Sequence, residues 1–229
     1  QQFFFASITH FKRFLSNSSG KSLKGFCNQL SKKQNFYKYR GSIFNESNGL
    51  IAQGDMTAFY ANKEINTNID DAKKTALPKQ NTSLKVDRSV FPKSDSLILI
   101  DEIIDFNKDP LSITYRYHYS KKHLLVKGHF PQNPVMMGVM QWMGIEDGAV
   151  ALYKLLKLQG KQLLSGDALI FNDQGIITAE IKHFTISIQM DNTYIQANIE
   201  TTKKLLFRSI VNAGDTIFVQ LSNLVFSPT

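Results

Sequence analysis

Apolar and polar residues alternate over two widely separated parts of this chain, and between them lies one stretch with a different rhythm. Asn35–Gly41, Leu50–Tyr60, Tyr194–Thr201 and Thr216–Phe226 each switch side with period two, which predicts half-buried strands. From Val135 to Leu158 the apolar positions recur at helical spacing with no proline, which predicts one long helix. Asn62–Lys85 is polar, carries Asp70-Asp71, Lys73-Lys74 and Pro78, and reads as a linker with one short helical turn. The pattern therefore divides the chain into residues 1–62, a linker over 63–86, and a larger unit over 87–229.

The stretch Gly128-His129-Phe130-Pro131-Gln132-Asn133-Pro134-Val135-Met136-Met137-Gly138-Val139-Met140 has the character of a site. Pro131 and Pro134 hold the chain extended, so His129 falls at a strand end on a stiff, non-helical connection. Gly138 lies near the helix start, where unpaired amides and the helix dipole can polarise a carbonyl oxygen. A lone histidine on a strand is usually structural. The adjoining prolines and the glycine-led helix raise the case for acyl chemistry, because a base beside a helix N-terminus suits it.

This string resembles the active-site segment of the hotdog-fold 3-hydroxyacyl-(acyl carrier protein) dehydratases, which read approximately H-F-x-G-x-P-x-M-P-G-V-L before a helix bearing an acid. His129, Phe130, Pro134, Met136, Gly138 and Val139 fall on family positions, whereas Gln132 and Met137 replace a glycine and a proline. Phe91-Pro92 followed by Leu97–Ile104 resembles the family's opening short helix and first strand, so the likeness covers residues 87–229. It implies an α+β hotdog fold, a curved antiparallel sheet around a long central helix. It also implies dehydration of 3-hydroxyacyl thioesters to trans-2-enoyl thioesters in fatty-acid or polyketide-type synthesis.

On that resemblance His129 is the base and the Gly138 amide holds the thioester oxygen. Phe130, Pro134, Val135, Met136, Val139 and Met143 line the substrate path. The family's acid falls at Met143, and a thioether cannot exchange the proton. Asp147 shares that helix face one turn on, either as a displaced acid or as a structural polar residue with an ordinary partner. Glu146 points about 100° away from Asp147. No metal or nucleotide cofactor is implied, since the substrate carries its own phosphopantetheine.

A second explanation for the missing acid lies in an echo between the two ends. Ile8-Thr9-His10-Phe11 resembles Ile181-Lys182-His183-Phe184, and each is followed by alternating strands. Residues 1–62 then read as the closing strands of a partial second hotdog, which makes a pseudo-dimeric double hotdog whose acid comes from another unit. The alternative is that these residues add strands to the edge of the complete unit. A homodimer is the other expected assembly.

The net charge of +8 favours an acidic partner, and the resemblance makes acyl carrier protein the natural one. Lys121, Lys122 and Lys127 flank the His129 string and are the expected docking residues. No helix-turn-helix or RNA-binding string is present, which argues against nucleic acid. No run of eighteen apolar residues occurs, and the one cysteine, Cys27, fits a reducing compartment, so a cytoplasmic protein without a membrane span is expected. A non-catalytic acyl-binding half that supports an active partner is the alternative function, with Met143 as its evidence.

Overall fold

The computed structural model describes residues 2–14, 22–61, 72–128 and 134–228. Four strands come first: β1 (Gln2–Arg13), β2 (Lys24–Lys33), β3 (Phe36–Phe44) and β4 (Leu50–Ala61). The short β5 (Leu84–Lys85) and the hairpin of β6 (Glu102–Lys108) and β7 (Leu111–His118) precede the helix α1 (Gly138–Leu155). Strands β8 (Gln162–Asn172), β9 (Ile177–Asp191), β10 (Tyr194–Phe207) and β11 (Thr216–Pro228) follow it. The strands form one antiparallel sheet in the order β2-β3-β4-β1-β10-β9-β8-β11-β7-β6-β5. One long helix against a large antiparallel sheet is a hotdog-like arrangement.

The predicted helix is shorter at both ends than its apolar pattern. Val135 and Met136 are buried, but they join the loop before β11 through a Val135–Asn212 bridge and a bond from the Met136 N–H to the Val211 carbonyl. Apolar periodicity reports burial, and these two side chains are buried in an extended segment. At the far end Lys157 adopts φ 53°, and the Leu158 N–H returns to the Tyr153 carbonyl at 3.1 Å. That is a left-handed stop of the type usually given to glycine.

Helix and sheet meet most closely where α1 carries Gly144 and Gly148. Tyr115 on β7 donates its hydroxyl to the Gly144 carbonyl at 2.6 Å, and a Cβ on Gly148 would stand 2.5 Å from the Tyr115 ring. Around this contact Ile145, Ala149, Leu152, Ile113, Leu164, Ile170, Ile181 and Ile186 are fully buried. A second polar tie crosses the core, from Thr178 Oγ1 on β9 to Gln141 Oε1 at 2.8 Å.

Half of the expected linker belongs to the body. Residues 62–71 lie outside the described residues, but Thr75 donates to Gly175, Ile177 donates to Lys73, and both Asn81 and Thr82 donate to Ile104. Polarity here reflects an exposed strap held by backbone hydrogen bonds, which composition cannot separate from a free tether.

The echo between the chain ends corresponds to a shared backbone feature. His10 and His183 both have left-handed φ, 53° and 51°, at bulges in β1 and β9. Each bulge lies opposite a Gly-Asp pair, Gly54-Asp55 on β4 and Gly166-Asp167 on β8, with Ile8 paired to Met56 and Ile181 to Ala168. The counterpart of β4 is thus β8, which precedes β9 in the chain, and not a strand that follows the echo. β1 and β9 flank β10 on either side, and β1–β4 continue the sheet edge. Among the described residues before β5 there is no helix that would correspond to α1.

Gly148→Ala drives a methyl into Tyr115 and Leu221, and we expect it to cost about 1–3 kcal/mol. Gly25→Ala on β2 enters open space and should be near neutral. Urea titration checks both, and equal midpoints would contradict the close helix–sheet contact.

Candidate active site

α1 begins at Gly138 after an extended Met137 (φ −60°, ψ 135°) that supplies no side-chain cap. The first amides of a helix lack internal partners, and those of Gly138 and Val139 meet no acceptor among the described residues. A neighbour presses on position 138: a Cβ there would stand 2.7 Å from Cζ of Phe207 on β10, so any larger residue must displace that ring. His129 and Phe130 lie outside the described residues, while Pro134, just beyond that stretch, is partly buried.

From Gly138 the helix follows β10 through residues four apart. Trp142 donates its indole N–H to Thr202 Oγ1 at 3.2 Å and meets Phe11 of β1 edge-on, with ring centroids 4.7 Å apart. Glu146 Oε1 accepts the Ile199 N–H at 2.9 Å. Gly138, Trp142 and Glu146 therefore form one stripe along β10. Beside it Val139 and Met143 remain open, 41% and 37% exposed, whereas Val135 and Met136 face the core and do not line this surface.

The two adjacent carboxylates of α1 have different surroundings. Asp147 is buried; its Oδ1 lies 2.5 Å from Lys93 Nζ and its Oδ2 accepts the Leu99 N–H at 2.6 Å. It ties the segment before β6 to the helix, and burial raises its pKa against the pull of Lys93. Glu146 is partly buried, and burial pushes its carboxyl up to about 7, opposed by the Ile199 N–H and the charges of Lys93 and Arg13. Its Oε2 accepts no hydrogen bond among the described residues. Sequence reading set Glu146 aside because it does not share the Met143–Asp147 face, and helix geometry alone could not show that its own face meets β10.

Trp142 also floors an apolar groove of about 350 Å³, walled by Ile8, Phe11, Gly41, Met56 and Gly54 of the first four strands. Cys27 and Gly41 are register partners, as are Gly41 and Gly54, so small residues run across the sheet beneath the groove. Lys121 and Lys122 are exposed, with the Lys121 side chain lying over Gly214. Lys127 belongs to a single-turn helix over Leu124–Gly128, and its side chain lies outside the described residues. Among the described residues no three His, Cys, Asp or Glu side chains converge as a metal site, and no helix is long and apolar enough to cross a membrane.

Asp147→Ala strands Lys93 and the Leu99 amide, and we expect it to cost about 3–5 kcal/mol. Denaturant unfolding measures this, and a loss below about 1 kcal/mol would contradict a buried anchoring role.

No protein-family model matches this sequence, and no curated protein matches it. Solved structures do. An acyl-CoA thioesterase II of Mycobacterium marinum is similar over 97% of this chain and 82% of its own, at 10% identity and a TM-score of 0.35. The dehydratase domain of RzxB from Pseudomonas fluorescens covers 93% of this chain and 75% of its own at 8% identity, with a TM-score of 0.42. A dehydratase domain from the CurK module of the curacin polyketide synthase covers 98% and 76% at 8% identity, with a TM-score of 0.45.

Proposed function

We propose that this protein dehydrates 3-hydroxyacyl thioesters to trans-2-enoyl thioesters. The observation that carries the reading is the pair of unclaimed amides on Gly138 and Val139, which open α1 immediately after the string that contains His129. An amide aimed at the thioester oxygen stabilises the negative charge that develops there when a proton leaves C2. Imidazole, with an unperturbed pKa of about 6.5, suits removal of that proton near neutral pH. The C3–O bond then breaks as the hydroxyl takes up a proton and leaves as water, and the double bond forms between C2 and C3.

Phe207 and Trp142 flank the helix start, and the groove over Trp142 offers the acyl chain an apolar bed. Lys121, Lys122 and Lys127 supply positive charge for an acidic carrier protein, whose pantetheine arm would bring the thioester to Gly138. A non-catalytic acyl-binding role is the second reading, favoured by Met143 at the position where the resembled family carries its acid.

The test is mass-spectrometric turnover of a 3-hydroxyacyl carrier protein by the full chain, with free thiol followed in parallel. Loss of one water by wild type and an at least ~100-fold lower kcat in His129→Ala are expected. Thiol release without enoyl product would assign hydrolysis instead, and binding without turnover would assign the non-catalytic role.

A further inference from the structure

We propose that Glu146 is the proton-transfer carboxylate of this site, giving its proton to the departing 3-hydroxyl of the bound acyl thioester; the inference rests on the dehydratase reading above. Three observations of place support it. Glu146 ends the stripe that starts at Gly138, so amide donor and carboxyl share the helix face that follows β10. The Ile199 N–H holds Oε1 in position and leaves Oε2 without a hydrogen bond among the described residues. Met143, one turn back on the helix, is an apolar side chain left 37% exposed.

The spacing suits the substrate. Gly138 and Glu146 are about 12 Å apart along the helix axis at 1.5 Å per residue. Helical side chains lean toward the N-terminus, and a glutamate is long enough to reach back roughly one turn, about 5 Å. The remaining gap of about 7 Å is the scale of two hydrogen bonds of about 2.8 Å joined by the short path from a thioester oxygen to a 3-hydroxyl.

The neighbouring charges favour a carboxyl that cycles its proton. Lys93 is committed to Asp147, Arg13 on β1 acts at longer range, and β10 presents only the neutral Ile199 amide, since Glu200 accepts from Ser187 on β9. Burial, aided by the neighbouring Asp147 charge and with no cation in contact among the described residues, holds Glu146 protonated up to about 7. In the reaction the C2 proton goes to the base, the carboxyl proton goes to the leaving oxygen, and water departs with no change in oxidation state.

Glu146→Gln keeps an acceptor for Ile199 and removes the acid. With 3-hydroxybutyryl-pantetheine in deuterated buffer, we expect kcat to fall at least ~100-fold with KM within about threefold, while deuterium exchange at C2 continues. The limb of the wild-type pH profile that declines as pH rises through about 7 should be absent in the variant's residual rate, and Glu146→Asp should restore part of the turnover. Turnover within threefold of wild type, or joint loss of dehydration and exchange, overturns the role of Glu146 and leaves the dehydratase reading standing. Wild type that neither dehydrates nor exchanges overturns that reading, and this inference with it.

Discussion

The close contact of α1 with β7 at Gly144 and Gly148 governs the placement of nearly every other group. With no Cβ at 148, the Tyr115 ring fits against the helix and its hydroxyl reaches the Gly144 carbonyl, so the helix cannot turn about its axis or slide without losing both. Locked in that rotation, α1 directs Gly138, Trp142 and Glu146 along β10 and sends Asp147 toward Lys93 and Leu99. The helix start is thereby set against Phe207, with the Gly138 and Val139 amides carried on a rigid element.

Two neighbouring carboxylates on one helix illustrate how surroundings divide labour. Asp147 has a cation and an amide in contact and serves to join segments, at a depth where removing either partner is costly. Among the described residues Glu146 has one amide and no contacting cation, and with partial access to solvent it is free to change its proton. Identical chemistry one residue apart is assigned to anchoring or to proton transfer by what faces it.

The first four strands share the sheet's backbone devices without repeating its whole plan. The left-handed histidines and the Gly-Asp pairs opposite them bend β1 and β9 alike, and Asp55 and Asp167 are each held by nearby lysine or arginine side chains. β10 lies between the two bent strands and lends its length to both sides. Phe11 and Trp142 close the seam where β1 reaches the helix, and an edge-to-face pair of this kind adds about 0.5–1.5 kcal/mol beyond burial. That seam is also the floor of the groove.

Strands such as β3, β4, β10 and β11 were legible in the chain because period-two alternation is a local consequence of facing a core and solvent in turn. The helix and its glycine start were legible for a similar reason, although Val135 and Met136 were read as helical because burial in an extended segment leaves the same apolar mark. Asp147 stood out only as a polar residue among apolar ones; that Lys93, far away in sequence, would neutralise it depends on the path of the chain between them. The equivalence of β4 with β8, the groove over Trp142 and the setting of Glu146 were decided by tertiary structure alone. Each is a relation between residues distant in the chain, fixed by sheet order and helix rotation, and periodicity along one segment carries no information about which strand lies across from it.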